Sequence, residues 1–329
     1  MKQLVMKGPK ESRVIDVDIP EISDNQLLVK VTYTGMCHSE FYSWLNAKNG
    51  DIIGHETVGV IADKGINVKG FSIGDRVTGL GGGGYKEYIV MEPQKTFIIP
   101  DNVKDEDAIG EPLACMMSVS ERLPVTKTGD RIVIVGSGYM GLGMISLYKA
   151  KGYTEIIAVD KREIALENAK RYGATKVYLP HDLPKEYRLN WETWKKPDLT
   201  RDGHKTDIFN TGFENVIEFS GTEEGLKLAG EMVCAHGNLG IAGYHNDGFR
   251  TVDFKLWNLK AMTMYNCHER RIDYEATLCE RAIKLISQGQ WKFTDTAKHI
   301  YTLYEFDEAN ADMECHADNF IKGLVRCHV

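Results

Sequence analysis

The run from Ile132 to Gly141, Ile-Val-Ile-Val-Gly-Ser-Gly-Tyr-Met-Gly, constrains this chain more than any other stretch. Four β-branched apolar residues predict a buried strand, and the pattern after Gly141 predicts a helix. Between them stands G-x-G-x-x-G, in which each glycine has its own task. Gly136 makes the tight turn, Gly138 lets backbone approach a pyrophosphate, and Gly141 lets the helix pack closely on the strand. The helix start at Tyr139 and Met140 offers N–H groups and the positive end of a dipole to an anion. A second apolar strand closes on Asp160, where a dinucleotide-binding βαβ unit needs a carboxylate for the ribose hydroxyls. That carboxylate would repel a 2′-phosphate, so NAD is expected in preference to NADP. Lys161, counted among the cofactor-binding candidates, and Arg162 soften the repulsion.

The writing changes on either side of this unit. The first hundred residues read as short strands punctuated by glycine, at 27–35, 56–63, 75–80 and 85–91, and predict an all-β segment. From about 120 to 265 strand, turn and helix alternate, which implies a parallel sheet. Beyond 268 comes a helix at about 274–290, with short strands at 299–306 and 321–329. A chain of 329 residues has room for two domains. The expected fold class is α/β: a β-rich domain from 1–120 and 268–329, and a doubly wound domain from 121–267. The polar stretch 181–212 predicts a surface insertion anchored by Trp191 and Trp194, with a subunit contact or active-site rim as the alternative.

A net charge of -7 leaves no basic surplus for nucleic acid, so a small-molecule partner is expected. No run of eighteen apolar residues suggests a membrane span, and the start MKQLVMKGPK lacks a signal-peptide core, so a cytoplasmic protein is expected. Seven scattered cysteines without a C-x-x-C pair suit reduced thiols.

Three short segments carry metal-ligand types: Cys37-His38-Ser39-Glu40, His55-Glu56, and Glu111 before Pro112-Leu113. A lone cysteine in a β segment is more often core. Together the three offer thiolate, imidazole and carboxylate, the donors of a catalytic zinc with an open position.

With these segments the chain resembles the zinc-dependent medium-chain dehydrogenase/reductase family, the alcohol dehydrogenases. GMCHSE, GHE before TVG, GDRV at Gly74–Val77, GGYKEY at Gly83–Tyr88 and EPL all stand in that family's order, over nearly the whole chain. The resemblance implies a GroES-like catalytic domain made from both ends of the chain, with a Rossmann domain inserted. It implies Cys37 and His55 as zinc ligands, Glu56 as a carboxylate on or beside the metal, and Glu111 where liver-type members carry cysteine and sorbitol- or sugar-type members glutamate. Four such ligands would leave zinc net negative, so one glutamate is expected to be exchangeable. Ser39 resembles the hydroxyl that relays the substrate proton, with a simple turn hydroxyl as the alternative. His38 continues that relay, touches the cofactor pyrophosphate, or is a surface imidazole, and Glu40 braces a zinc ligand.

No cluster of four cysteines follows GDRV, so one catalytic zinc per chain and no structural zinc are expected, with Gly81–Gly84 forming a short turn. Segments 257–260 and 265–270 resemble a block of sugar and cyclitol dehydrogenases. There Asn266, His268 and Glu269 either meet a polyhydroxylated substrate or make interdomain hydrogen bonds. The function implied is oxidation of a secondary alcohol of a polyol, sugar or cyclitol by NAD, in a homo-oligomer, dimer or tetramer. The alternatives are a zinc enzyme for simple aliphatic alcohols, a zinc-free enone or quinone reductase, and a nucleotide-binding protein without turnover.

Overall fold

The computed structural model describes residues 1–81, 83–124, 131–191 and 211–328. The chain opens with a hairpin, β1 (Lys2–Gly8) and β2 (Glu11–Asp16), then β3 (Leu27–Gly35), α1 (His38–Leu45), β4 (Glu56–Lys64), β5 (Arg76–Gly79), β6 (Tyr88–Met91), β7 (Thr96–Ile98) and α2 (Gly110–Arg122). The alternating part follows as β8 (Arg131–Val135), α3 (Tyr139–Ala150), β9 (Glu155–Val159), α4 (Glu163–Tyr172), β10 (Lys176–Tyr178), β11 (Phe213–Glu218), α5 (Glu223–Met232), β12 (Val233–Ile241), α6 (Phe254–Leu259) and β13 (Thr263–Asn266). The chain closes with α7 (Ile272–Ser287), β14 (His299–Thr302), α8 (Phe306–Cys315) and β15 (Gly323–Arg326). Two compact units result, one from Met1–Met117 and Glu269–Val329, the other from Ser118–His268, with the division inside α2.

In the first unit a seven-stranded sheet has the order β14-β15-β3-β4-β5-β7, with β6 also on β3. β3 is the hub because Leu27, Val29 and Val31, at period two, bury one face completely. Met6, Ile61, Val77, Ile89 and Phe306 complete that core.

Two expectations are corrected here. The first hundred residues are not all strand, since α1 follows β3 at once; Phe41 and Trp44, three apart, share a helix face, and Trp44 is buried. The strand expected over 299–306 ends at Thr302, which forms a capping box with Glu305 and starts helical structure instead.

The second unit is a six-stranded parallel sheet in the order β10-β9-β8-β11-β12-β13. Numbered from β8, this is the third-second-first-fourth-fifth-sixth order of a doubly wound dinucleotide fold, reversing direction beside β8. Val133, Ile157, Val216 and Leu239 are fully buried, as a sheet covered on both faces requires. Within 181–212, Trp191 is half-exposed, donates to Asp253 and lies under Lys255 at 4.6 Å. Trp194 lies outside the described residues.

Lys260 is a buried cation in this unit: 1% exposed, it donates to Gly230 O at 2.9 Å and Glu231 O at 2.7 Å, carbonyls of the last turn of α5. Lys260→Met leaves both carbonyls without that donor and should cost about 2 kcal/mol. Burial pushes the ammonium down to about 8 from 10.5. Between those values the unfolded chain binds more protons than the folded one, so this residue's contribution to stability rises with pH. Denaturant melts at pH 7 and 9.5 should show a larger gap between wild type and Lys260→Met at the higher pH.

Candidate active site

β3 and β4 pair antiparallel with Gly35 opposite Glu56. A side chain at position 35 would collide with Glu56, its Cβ falling 2.1 Å from Oε2, so the glycine makes room for the carboxylate. Cys37 follows as the N-cap of α1, and Gly54, at φ +118°, turns the chain so that His55 precedes β4. The Cys37 thiol, the His55 imidazole and a Glu56 carboxylate oxygen all lie within 4.8 Å of one another.

The surroundings hold this nest in place. Glu40 Oε1 sits 2.6 Å from His55 Nδ1, which orients the ring with Nε2 toward Glu111 Oε2 at 3.9 Å. Tyr85, buried, donates to Glu40 Oε2 at 2.8 Å, with Gly35 O further off at 3.3 Å. Lys322 donates to Met36 O at 2.8 Å and pairs with Glu56. Its ammonium lies against Glu56 Oε2 and offsets the charge of that buried carboxylate. Glu111 is set by the start of α2, where Gly110 N donates to Thr78 Oγ1 at 2.9 Å and a Cβ on Gly110 would meet Cys279 Sγ at 2.5 Å.

The electrostatics favour a cation. Burial opposes the His55 imidazolium, yet hydrogen bonds to Cys37 and Glu40 reverse this and push its pKa up to about 12. Burial and then the repulsion of Glu56 push the Glu111 carboxyl above the usual carboxylate range. Burial likewise raises the Cys37 thiol. Thiol, imidazole and carboxylate at this spacing fit a zinc ion.

Ser39 Oγ donates to Cys37 Sγ at 3.1 Å, and His38 is exposed and stacks on Phe41 at 5.5 Å. Sequence reasoning singled out neither Tyr85 nor Lys322. Tyr85 lay unremarked inside GGYKEY, and Lys322 comes from the far end of the chain with no local signal.

In the second unit Gly136 has φ +97°, and a Cβ there would fall 2.6 Å from Ser220 N. A Cβ on Gly141 would fall 2.0 Å from Gly136 O, whereas one on Gly138 meets nothing within 4 Å. The turn is therefore closed on its protein side and open at Gly138, the cradle a pyrophosphate needs. α3 begins at Tyr139 and Met140, directing its positive end there. Asp160 Oδ2 accepts from Ser137 N at 2.8 Å and Oδ1 from Arg162 N at 2.9 Å, tying strand end to turn. Arg162 Nε also reaches Oδ1, at 3.3 Å, while Lys161 is exposed. These residues fit a dinucleotide whose ribose shares the Asp160 carboxylate.

Of the late block, Trp257 packs in the core and Asn266 is exposed, its carbonyl accepting from Arg122. Glu269 is engaged by Arg271, through N, Nε and Nη2, and by Arg270 N. These bonds fold the turn at Glu269, Arg270 and Arg271 about that carboxylate.

Residues 23–101 match the alcohol dehydrogenase GroES-like domain family. The chain is 29% identical to the sorbitol dehydrogenase of Bacillus subtilis over 54% of its own length and 60% of that enzyme's. It is 29% identical to the L-threonine 3-dehydrogenase of Chromobacterium violaceum (74% and 77%), and 24% identical to the D-xylulose reductase of Saccharomyces cerevisiae (98% and 96%). Among solved structures, the 2R,3R-butanediol dehydrogenase of B. subtilis superposes with a TM-score of 0.78 at 21% identity, covering 99% of both chains. A short chain alcohol dehydrogenase of Escherichia coli complexed with NADH gives 0.81 at 21%, also covering 99% of each. Residues 23–101 belong to the alcohol dehydrogenase GroES-like domain family, and the whole chain is similar to medium-chain alcohol dehydrogenases. Its two units have the GroES-like and Rossmann folds of those structures.

Proposed function

We propose that this medium-chain dehydrogenase oxidises a secondary alcohol of a polyol, sugar or cyclitol with NAD, using one catalytic zinc per chain. The observation that carries the reading is the donor set Cys37, His55 and Glu56 within 4.8 Å, with Glu111 beside it. That complete set favours a zinc dehydrogenase over the zinc-free reductase and the protein without turnover. When bound, zinc supplies Lewis acidity and nicotinamide the hydride acceptor.

The chain's own residues do the rest. Cys37, His55 and Glu56 hold the ion, and Glu40 with Tyr85 fixes the His55 ring. Ser39 Oγ, next to Cys37 Sγ, takes the substrate proton and passes it toward exposed His38. Gly136, Gly138, Tyr139, Met140 and Gly141 form the pyrophosphate turn. Asp160 holds the ribose, with Lys161 beside it, and favours NAD over NADP. Sorbitol and xylulose relatives support the polyol class. A homo-oligomer, dimer or tetramer, completes the reading, and the scattered free cysteines support a cytoplasmic setting.

Asp160→Ala should weaken NAD and improve NADP, shifting the ratio of their kcat/KM values by about 10-fold or more, the loss of a charge-assisted hydrogen bond. An unchanged ratio removes Asp160 from cofactor choice.

Glu111 tests the substrate class. Glu111→Ala should lower kcat/KM by about 10- to 100-fold, while Glu111→Cys should keep the metal and alter substrate choice and pH dependence. Wild type should prefer polyols to propan-2-ol, because a pocket built to bond several hydroxyls rejects analogues lacking them. A highest kcat/KM on a simple aliphatic alcohol, with Glu111→Ala like wild type, favours the simple-alcohol alternative.

A further inference from the structure

Glu111 faces two donor sets. Its Oε2 is turned toward His55 Nε2, while Oε1 lies 3.5 Å from Cys115 Sγ, one turn further along α2. On the other side of that sulfur, Glu275 Oε1, from the first turn of α7, lies at 3.3 Å. Ligand atoms of Glu111, Cys115 and Glu275 all lie within 4.8 Å of one another. We propose that Glu111 bridges two cation sites, and that Glu111, Cys115 and Glu275 bind a second divalent cation of zinc-like softness. This rests on the reading of Cys37, His55 and Glu56 as the first site.

Geometry supports it. In a tetrahedral zinc site with Zn–S about 2.3 Å and Zn–O about 2.1 Å, sulfur and oxygen stand about 3.6 Å apart. Both sulfur–oxygen distances are close to that edge before any ion is added.

Hydrogen bonding alone satisfies the cluster poorly. A thiol has one proton and cannot serve two carboxylates at once. Among the described residues, Cys115 is the only hydrogen-bond donor to the side chain of either Glu111 or Glu275. A thiolate with two carboxylates instead suits a cation.

Charge counting agrees. With Cys37, Glu40, Glu56, Glu111, Cys115 and Glu275 ionised against the Lys322 ammonium, one divalent cation would leave the cluster strongly anionic, and a second offsets most of the remainder. The second set has three protein ligands and shares one of them, so its ion is held more loosely than the first and is exchangeable.

The test is a zinc titration of the full chain against a chromophoric chelator. Wild type should take up one tight equivalent and then one weaker equivalent. Cys115→Ala and Glu275→Gln should each weaken the second by at least about 10-fold, the least that loss of a supporting ligand costs, and leave the first unchanged. Glu275→Gln keeps the side chain's shape and serves alone if Cys115→Ala does not fold. Cobalt added as the second equivalent should give a further thiolate-to-cobalt absorption band, lost in Cys115→Ala. A single equivalent in wild type, or a second equivalent indifferent to both substitutions, overturns the proposal. Cys37→Ser separates the two readings, since it should lose the tight equivalent and retain the weaker one.

Discussion

Cys37→Ser is expected to abolish tight zinc binding and to lower dehydrogenase activity by on the order of 1,000-fold, the equivalent of several kcal/mol of lost Lewis-acid stabilisation. Serine keeps the shape of the α1 N-cap, so the fold should persist, but its hydroxyl is a far poorer zinc ligand than a thiolate. NAD binding should stay within a few-fold of wild type, because the dinucleotide turn belongs to the other unit. Elemental analysis and NADH fluorescence titration on one preparation check both halves. A variant that keeps its zinc, or loses only NAD binding, refutes the assignment.

The second large effect lies in that turn. Gly141→Ala places a Cβ 2.0 Å from Gly136 O, and a backbone oxygen cannot move aside as a flexible side chain can. Overpacking of this kind costs about 3 kcal/mol or more. Borne by the turn, that is more than about 100-fold in NAD affinity. Gly138→Ala should behave differently: its Cβ meets nothing within 4 Å and its φ is -75°, so the melting temperature should not change while NAD binding weakens. If the two substitutions alter stability and binding alike, Gly138 is not the point of approach.

What could be read from the sequence was local. The strand, the three glycines and Asp160 sit within one βαβ unit, and each is fixed by a backbone requirement that only particular residues meet. Asp160 also shows a limit, since its hydrogen bonds to Ser137 N and Arg162 N join residues whose geometry emerges only on folding. Helix α1 was hidden because a polar Cys-His-Ser-Glu run masks the single buried face provided by Trp44. Tyr85, Lys322 and Glu275 were illegible for another reason. Each is an ordinary residue in its own segment and becomes informative only when β-sheet pairing or helix packing brings it from 45 to 286 positions away against Glu40, Cys115 or Met36. Cys115 is one of seven scattered cysteines with no motif of its own, and it becomes informative only with Glu275 on its far side.

On the proposed reading, zinc held by Cys37, His55 and Glu56 makes this chain a polyol dehydrogenase. The most direct measurement strips the metal with a chelator, restores one equivalent of zinc, and follows NAD reduction with sorbitol, xylitol, a cyclitol and propan-2-ol. Activity should disappear with the metal, return with the first equivalent and be highest on a polyol or cyclitol. Turnover that survives complete removal of zinc, or none on any of these alcohols with zinc and NAD both bound, contradicts that reading.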